Sequence, residues 1–384
     1  MIDVWKNLPG ELIEKVGGID AGSVADIARL RKKYSADQVA AAINLVRARA
    51  KAKVKFPDRW EGMMGEASAV EQASSIWTGR HKAKRFVEYM RESGDEGRRV
   101  CDLCCGIGGD MIAIAEKWGN VVGFEMDELR AWMCEVNTGK EVVVGDVTKQ
   151  EIEGEVFHID PARREAGKRI WKFEDILPSP AYLEELVRKN EAGGIKLAPS
   201  VDQGDLPFDC ELEYVSENGR MVQGIAWTGG LAKHERSATM VREEKVVTLT
   251  GEASDDLWGY VRDEGRYLFA VDPAVERAKL MGRLADELGV GIVHPQLGLY
   301  SGDRVIESDW VRGFEMLEVL PWKEGRVKGW LKERDGGIVE VKTRGKVVNP
   351  DVVQPRLSGK GENAFTVFVL RKDKSVVCYI TKRL

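Results

Sequence analysis

Residues 102–110 read DLCCGIGGD, and no other stretch of the 384-residue chain restricts its fold as much. An apolar run, RRVCDL, leads into it, and a helix-spaced segment, MIAIAEKWG, follows. Glycines at 106, 108 and 109 permit a tight strand-to-helix turn, let a ligand approach the backbone, and leave helix N–H groups available beyond. The rhythm continues downstream, where NVVGFEM, ELRAWMCEVN, EVVVGDV, VFHIDP, AYLEELVRKN and GIKLAP alternate short apolar strands with helices. That alternation predicts a doubly wound, mostly parallel α/β sheet. ELEYVSENGRMVQGIAWTG then reads as a hairpin turning at Asn218-Gly219.

The flanks read differently. From about Ala21 to Lys53 the apolar residues Val24, Ile27, Leu30, Val39, Ile43 and Val46 recur every three or four positions, with Ser35 as an N-cap inside the pattern. A second helix is expected after Ser74-Ser75, through IWTGRHKAKRFVEYM. Beyond the sheet, RYLFAVD, AVERAKLMGRLADELG and GLYSGD suggest a small α+β unit, and the last seventy residues read βαβαββ, ending in a hairpin at Lys372 to Lys374. The expected organisation is a helical N-terminal region over 1–95, the doubly wound domain over 96–236, a small α+β region over 237–308 and a compact C-terminal domain over 309–384.

With 43% apolar and 32% charged residues the chain is expected to be globular. It has no apolar run near the roughly 18 to 20 residues that cross a bilayer, and its start, MIDVWKNLPGELIEKV, lacks a signal-peptide pattern. Membrane association is not expected, and six unevenly placed cysteines suit a reducing, cytoplasmic compartment. Cys101 and Cys104 form a CxxC, but with four isolated histidines and no second cysteine pair no metal is expected. These thiols read better as small packing residues.

The dinucleotide fingerprint GxGxxG would need glycine at 111, where this chain has Met111, so a nicotinamide cofactor loses its third glycine. Asp102 instead precedes Gly106 by four, giving D-x-x-x-G-x-G, the arrangement used by class I S-adenosylmethionine-dependent methyltransferases. Glu125 closes the next strand, placed to accept from ribose hydroxyls, and Gly145-Asp146 closes the third, placed for an adenine amino group. Cys104, Gly106, Gly108, Asp110 and Val147 complete the cofactor candidates within these loops. Helix capping explains Asp110 and Asp127 equally well.

VFHIDPARRE falls where the fourth strand of such a sheet delivers its catalytic loop. An amine must shed a proton when it is methylated, so Asp160-Pro161 would present an acceptor to it. Nucleobase-nitrogen methyltransferases carry Pro-Pro and an aromatic at this place, and here the run is Asp160-Pro161-Ala162-Arg163. Trp171 or Phe173 is a candidate for stacking a base. Carbon methylation through a cysteine adduct is disfavoured, because no cysteine lies near this loop. Arg163 is a candidate at the catalytic loop; it and Arg164 would grip phosphate or pair with Glu165, Glu174 or Asp175, and Lys196 would touch phosphate or neutralise local acids.

DLCCGIGGD, FHIDPARR, the IKLAPS strand, WTGGLA and EVKTRGKVVNPD closely resemble a bacterial family of class I methyltransferases with a THUMP-like C-terminal domain preceded by a small ferredoxin-like unit. The resemblance runs from about Lys53 onward. It implies a Rossmann-like methyltransferase domain, S-adenosyl-L-methionine as cofactor and, by analogy with THUMP domains, an RNA substrate such as tRNA or rRNA. The segment from Trp60 through VEQASSIWTGRHKAKRF is also similar to the front of trimethylguanosine synthases, where it helps to close the cofactor site. On that likeness Gln72, Ser74 and Ser75 become candidates, and N-capping explains the two serines equally well. Residues 321–384 carry 15 Lys and Arg against 7 Asp and Glu, a net +8 on a chain whose total is −5. Such a basic end is a candidate RNA contact. The leading expectation is methylation of a nucleobase nitrogen in RNA, with methylation of a protein or small molecule, or non-catalytic cofactor and RNA binding, as alternatives.

Overall fold

The computed structural model describes residues 1–384 except 21, 22, 95, 96, 163, 166, 167 and 170–172, with backbone alone for 164, 165, 168 and 169. Two compact units result, one of Met1–Glu217, Val222–Glu235 and Val241–Val246, the other of Asn218–Met221, Arg236–Met240 and Val247–Leu384. Among the described residues no helix is long and apolar enough to cross a membrane.

In the first unit the helical pattern expected from residue 21 breaks in two, giving Val24–Leu30 and α1, Ala36–Lys55. Ser35 and Gln38 form a reciprocal capping box, which satisfies two orphan N–H groups and lets the chain restart as a helix there. Ser75 caps α2, Ile76–Glu92, by accepting from Thr78 N–H. Leu45 and Phe86 from these helices and Phe56, which caps the end of α1, belong to the same core cluster as Val100, Met111 and Trp227 from the sheet region.

That sheet contains β1 (Val100–Leu103), then α3 (Gly109–Lys117), β2 (Val121–Glu125), α4 (Glu128–Thr138), β3 (Val142–Val144), β4 (Val156–Ile159), α5 (Pro180–Lys189), β5 (Ala192–Leu197), β6 (Glu211–Glu217) and β7 (Arg220–Gly229). Among the described residues the sheet has nine strands, of which these seven stand in the order β3-β2-β1-β4-β5-β7-β6. The first five pair in parallel, and β7 runs antiparallel to β5. Asn218 and Gly219 both adopt positive φ, 52° and 75°, as a two-residue hairpin turn requires. The chain goes from β1 outward to β3 and then returns to β4 on the other side, so the crevice at the β1 and β4 ends is where an open α/β sheet binds its ligand.

β6 carries three glutamates on alternate or near-alternate positions, and α2 and its cap answer each of them. Arg85 Nη1 donates to Glu211 Oε1 at 2.9 Å and Nη2 to Oε2, His81 Nε2 lies 2.7 Å from Glu213 Oε1, and Ser75 Oγ donates to Glu217 Oε2 at 2.9 Å. Trp227 Nε1 donates to Glu213 Oε2 at 2.7 Å, and the Arg85 guanidinium sits 4.7 Å from the Trp227 ring. Glu211 and Glu213 are wholly buried, a burial that only such compensation makes tolerable.

The second unit has its own seven-stranded sheet. It contains β8 (Tyr267–Val271), α6 (Met281–Leu288), β9 (Gly291–Ile292), β10 (Leu299–Gly302), β11 (Val311–Pro321), α7 (Glu324–Glu333), β12 (Gly336–Thr343), α8 (Pro350–Leu357), β13 (Asn363–Lys372) and β14 (Ser375–Arg383). The strand order is β9-β10-β8-β11-β14-β13-β12. From β11 onward the element order is the expected βαβαββ, with β12 parallel to β13 and the β13–β14 hairpin turning at Asp373, φ 53°. Val327 and Leu331 of α7 and Val353 and Leu357 of α8 share a core with Val339, Val341, Val367 and Ile380 of the sheet.

Candidate active site

The glycine loop turns through three left-handed residues, Cys104 (φ 58°), Gly106 (φ 57°) and Gly108 (φ 89°). A Cβ on Gly108 would stand 2.9 Å from Cys134 Sγ and from Thr138 Cγ2, so this glycine lets α3 pack on α4. A Cβ on Gly106 would meet nothing within 4 Å, which leaves open space against the backbone there. Glu125, at the end of β2, accepts from Gly106 N–H at 2.9 Å and from Asp127 N–H at 3.0 Å. Asp127 in turn caps α4. Asp146 accepts from the Thr148 hydroxyl at 2.7 Å and N–H at 3.0 Å, and these bonds hold its carboxyl below the usual range. Val147 is buried, and its carbonyl accepts from Tyr182 OH at 3.2 Å. Met126, which the sequence did not single out, is an exposed apolar residue directly after Glu125.

Asp102 is placed differently from Glu125 and Asp146. It is buried, directly opposite His158 in the β1–β4 register, and its Oδ1 lies 2.6 Å from His158 Nδ1. Asp110, in the first turn of α3, is buried too; Ser74 Oγ donates to its Oδ2 at 2.9 Å and Lys82 Nζ stands 2.5 Å from its Oδ1. Burial raises the Asp110 carboxyl, but Lys82, His158 and Lys196 outweigh it and hold the group well below the usual carboxylate range. For Lys82 burial prevails and pulls the ammonium down. Ser74 thus belongs to a buried polar cluster with Asp110, Lys82 and Gln223, whereas Ser75 is a helix cap. Gln72 is exposed and turns its amide back to Ser68 O, 3.1 Å away. Lys55 donates to the carbonyls of Val70, Glu71 and Ala73 at 3.0, 2.6 and 2.6 Å, closing the short helix Ala67–Gln72, and burial lowers its pKa to about 8.

Asp160 follows β4, and its N–H donates to Leu103 O at 3.2 Å, so the end of β4 is tied to the end of β1. Lys196, buried in β5, donates to Asp160 Oδ2 at 2.6 Å. Of the two roles open to Lys196, the structure shows neutralisation of an acid. Pro161 is buried, and Ala162 pairs its backbone with Leu177. Arg163 and Trp171 lie outside the described residues, as does the side chain of Arg164. Phe173 is buried.

Burial pushes the Cys101 thiol up to about 12 and raises Cys104 as well. Both stay protonated at neutral pH and are poor nucleophiles. Labelling with an aromatic disulfide at pH 8 should therefore miss both until denaturant is added; rapid reaction of either in the folded protein would contradict the packing role.

The family model described as THUMP domain-like matches residues 311–383, which span β11 to β14. Proteins named uncharacterized S-adenosylmethionine-dependent methyltransferase, from two strains of Mycobacterium tuberculosis, are each 29% identical over 324 residues, covering 82% of this chain and 86% of theirs. The chain is an S-adenosylmethionine-dependent methyltransferase with a THUMP-like C-terminal domain. A crystal structure of a candidate methyltransferase from Porphyromonas gingivalis W83 shares the fold of this methyltransferase, at a TM-score of 0.71 and 19% identity, with 97% of this chain and 98% of that one covered. The methyltransferase uses S-adenosylmethionine, and its glycine loop fits that cofactor: open space lies against Gly106, and carboxylates stand at the ends of β2 and just beyond β3. His158, Lys82 and Lys55 are the members of this region that the sequence did not reveal. A histidine inside the apolar run VFHI, opposite an aspartate on a neighbouring strand, was the available signal for the first.

Proposed function

We propose that the methyltransferase transfers a methyl group to a nucleobase nitrogen of a structured RNA, tRNA or rRNA, in the cytoplasm. The observation that carries this reading is the position of Asp160, a carboxylate just past the end of β4, beside the β1–β4 crevice, with one oxygen held by Lys196. Its Oδ1 would accept a hydrogen from the target amine, orienting the nitrogen lone pair and easing proton loss. Pro161 restricts the backbone at that point, and Arg163 would take a substrate phosphate. The bound cofactor supplies an electrophilic sulfonium methyl. Around it the Gly106 and Gly108 loop with Cys104 would provide close backbone contact, Glu125 would accept from ribose hydroxyls, and Asp146 with the Val147 backbone would receive the adenine. Gln72 and Ser74 would help to close this site, and Asp102 and Asp110 would support it from beneath the loop.

Glu125→Ala should then weaken cofactor binding about tenfold or more, measured by calorimetry, because hydrogen bonds to a carboxylate and the anchor of Gly106 are lost together. Wild-type affinity in this variant would remove Glu125 from the cofactor site.

RNA as substrate is supported by the THUMP domain-like match and by the net +8 of residues 321–384, whose exposed side chains include Arg326, Lys328 and Lys332 on α7. Binding through such groups releases counterions and weakens steeply as salt rises. Incubation with tritiated cofactor, followed by separation of RNA from protein, tests the reading: label in the RNA pool is expected, and label confined to protein would refute it.

A further inference from the structure

Methyl transfer as proposed above gives no part to His158, yet this side chain is wholly buried between the two acids that bracket the glycine loop. Asp102 is the penultimate residue of β1, before the loop, and Asp110 is the second residue of α3, after it. His158 Nδ1 is 2.6 Å from Asp102 Oδ1, and Nε2 is 3.8 Å from Asp110 Oδ2. Around the imidazole stand the edge-on ring of Phe86, at 6.3 Å between centroids, and Lys82, which pairs with Asp110. Asp102 Oδ2 has no hydrogen-bond partner among the described residues, so the bond at Oδ1 is the compensation shown for that buried carboxylate. Burial pushes the Asp102 carboxyl up and the neighbouring His158 counters it; when that carboxylate is ionised it requires a donor, and His158 Nδ1 is the group placed to supply one.

The stretch between the two acids takes its shape largely from contacts with its surroundings: Cys105 N–H donates to Phe124 O at 3.0 Å, Gly106 N–H to Glu125 at 2.9 Å, and Asn137 Nδ2 to Ile107 O at 2.9 Å. Cys104, Gly106 and Gly108 all adopt left-handed conformations, and glycines lose the most freedom on ordering. His158 lies two residues before Asp160 on β4, so one side chain connects the cofactor loop to the strand that delivers the transfer loop.

We propose that His158 is a positioning residue that pins the glycine loop through Asp102 and thereby holds it in its cofactor-binding shape. This inference rests on the cofactor alone, so it stands or falls separately from Asp160 and the RNA substrate.

The two amides separate this role from simple filling of space. In His158→Asn the amide nitrogen can occupy the place of Nδ1 and still donate to Asp102, whereas in His158→Gln it sits nearer the place of Nε2, although glutamine fills the cavity better. Calorimetry on full-length protein is expected to show His158→Asn binding S-adenosylmethionine within about threefold of wild type and His158→Gln about tenfold more weakly. Equal affinity in the two variants, or tighter binding by the glutamine variant, would overturn the proposal. Should either variant fail to fold, the wild-type protein gives the answer by nuclear magnetic resonance, since only four histidines contribute imidazole signals. A downfield Nδ1–H resonance that shifts when S-adenosylmethionine is added supports the pinning role. A resonance that is missing, or unmoved at saturating cofactor, contradicts it.

Discussion

Asp160→Ala should retain cofactor and lose transfer. Removing a positioned proton acceptor costs about 10²- to 10⁴-fold in rate, while the groups that would hold the cofactor lie on the glycine loop, β2 and the turn after β3. The change also removes the carboxylate that stands 2.6 Å from the buried Lys196 ammonium. Asp160→Asn keeps the shape and one acceptor oxygen beside Lys196, so running both variants distinguishes loss of the acceptor from disturbance of β5. The measurement is initial rate of label transfer to RNA, with cofactor affinity measured in parallel. Transfer at the wild-type rate by the alanine variant would remove Asp160 from the chemistry.

The largest effect on stability is expected at Arg85. Its guanidinium grips both oxygens of the wholly buried Glu211, donates to Leu231 O at 2.6 Å and lies against Trp227. Arg85→Ala strands that carboxylate in the interior, although the N–H groups of Lys233 and His234 still donate to it at 2.8 and 3.0 Å. Deleting one partner of a buried ion pair costs about 3–5 kcal/mol, because the remaining charge is not rehydrated. By contrast, Lys15→Ala breaks an exposed pair with Glu11 on the surface and should leave the midpoint nearly unchanged. Chemical denaturation followed by tryptophan fluorescence compares the two variants. Similar midpoints for both would show that Glu211 is not charged and buried as described.

Much of the fold was legible because its signals are local. The change of period from helix to strand after residue 96, the glycine loop, the Asn218-Gly219 turn and the βαβαββ ending each depend on neighbours a few positions apart. The break at Ser35 is half visible in the sequence: the serine reads as a cap, but the apolar spacing on either side of it is continuous. What stayed hidden depends on register between distant segments. His158 meets Asp102 because β1 and β4 pair in parallel with those residues opposite, and Lys82 meets Asp110 because α2 packs against α3. Lys196 could be placed near the cleft from sequence, but its pairing with Asp160 depends on the adjacency of β4 and β5, which spacing does not carry. The three acids expected to act alike also divide once burial is known. Glu125 and Asp146 remain accessible at the strand ends, while Asp102 is enclosed with a histidine, a difference that spacing alone does not carry.

The central claim is that Asp160 presents a nucleobase nitrogen of cellular RNA for methylation. It is tested most directly by nucleoside mass spectrometry of total RNA from cells with and without the gene, followed by treatment of the deficient RNA with purified wild-type or Asp160→Ala protein and S-adenosylmethionine. One N-methylated nucleoside should vanish without the gene, return with the wild-type enzyme and stay absent with the variant. An unchanged nucleoside profile, or restoration by Asp160→Ala, would contradict the account.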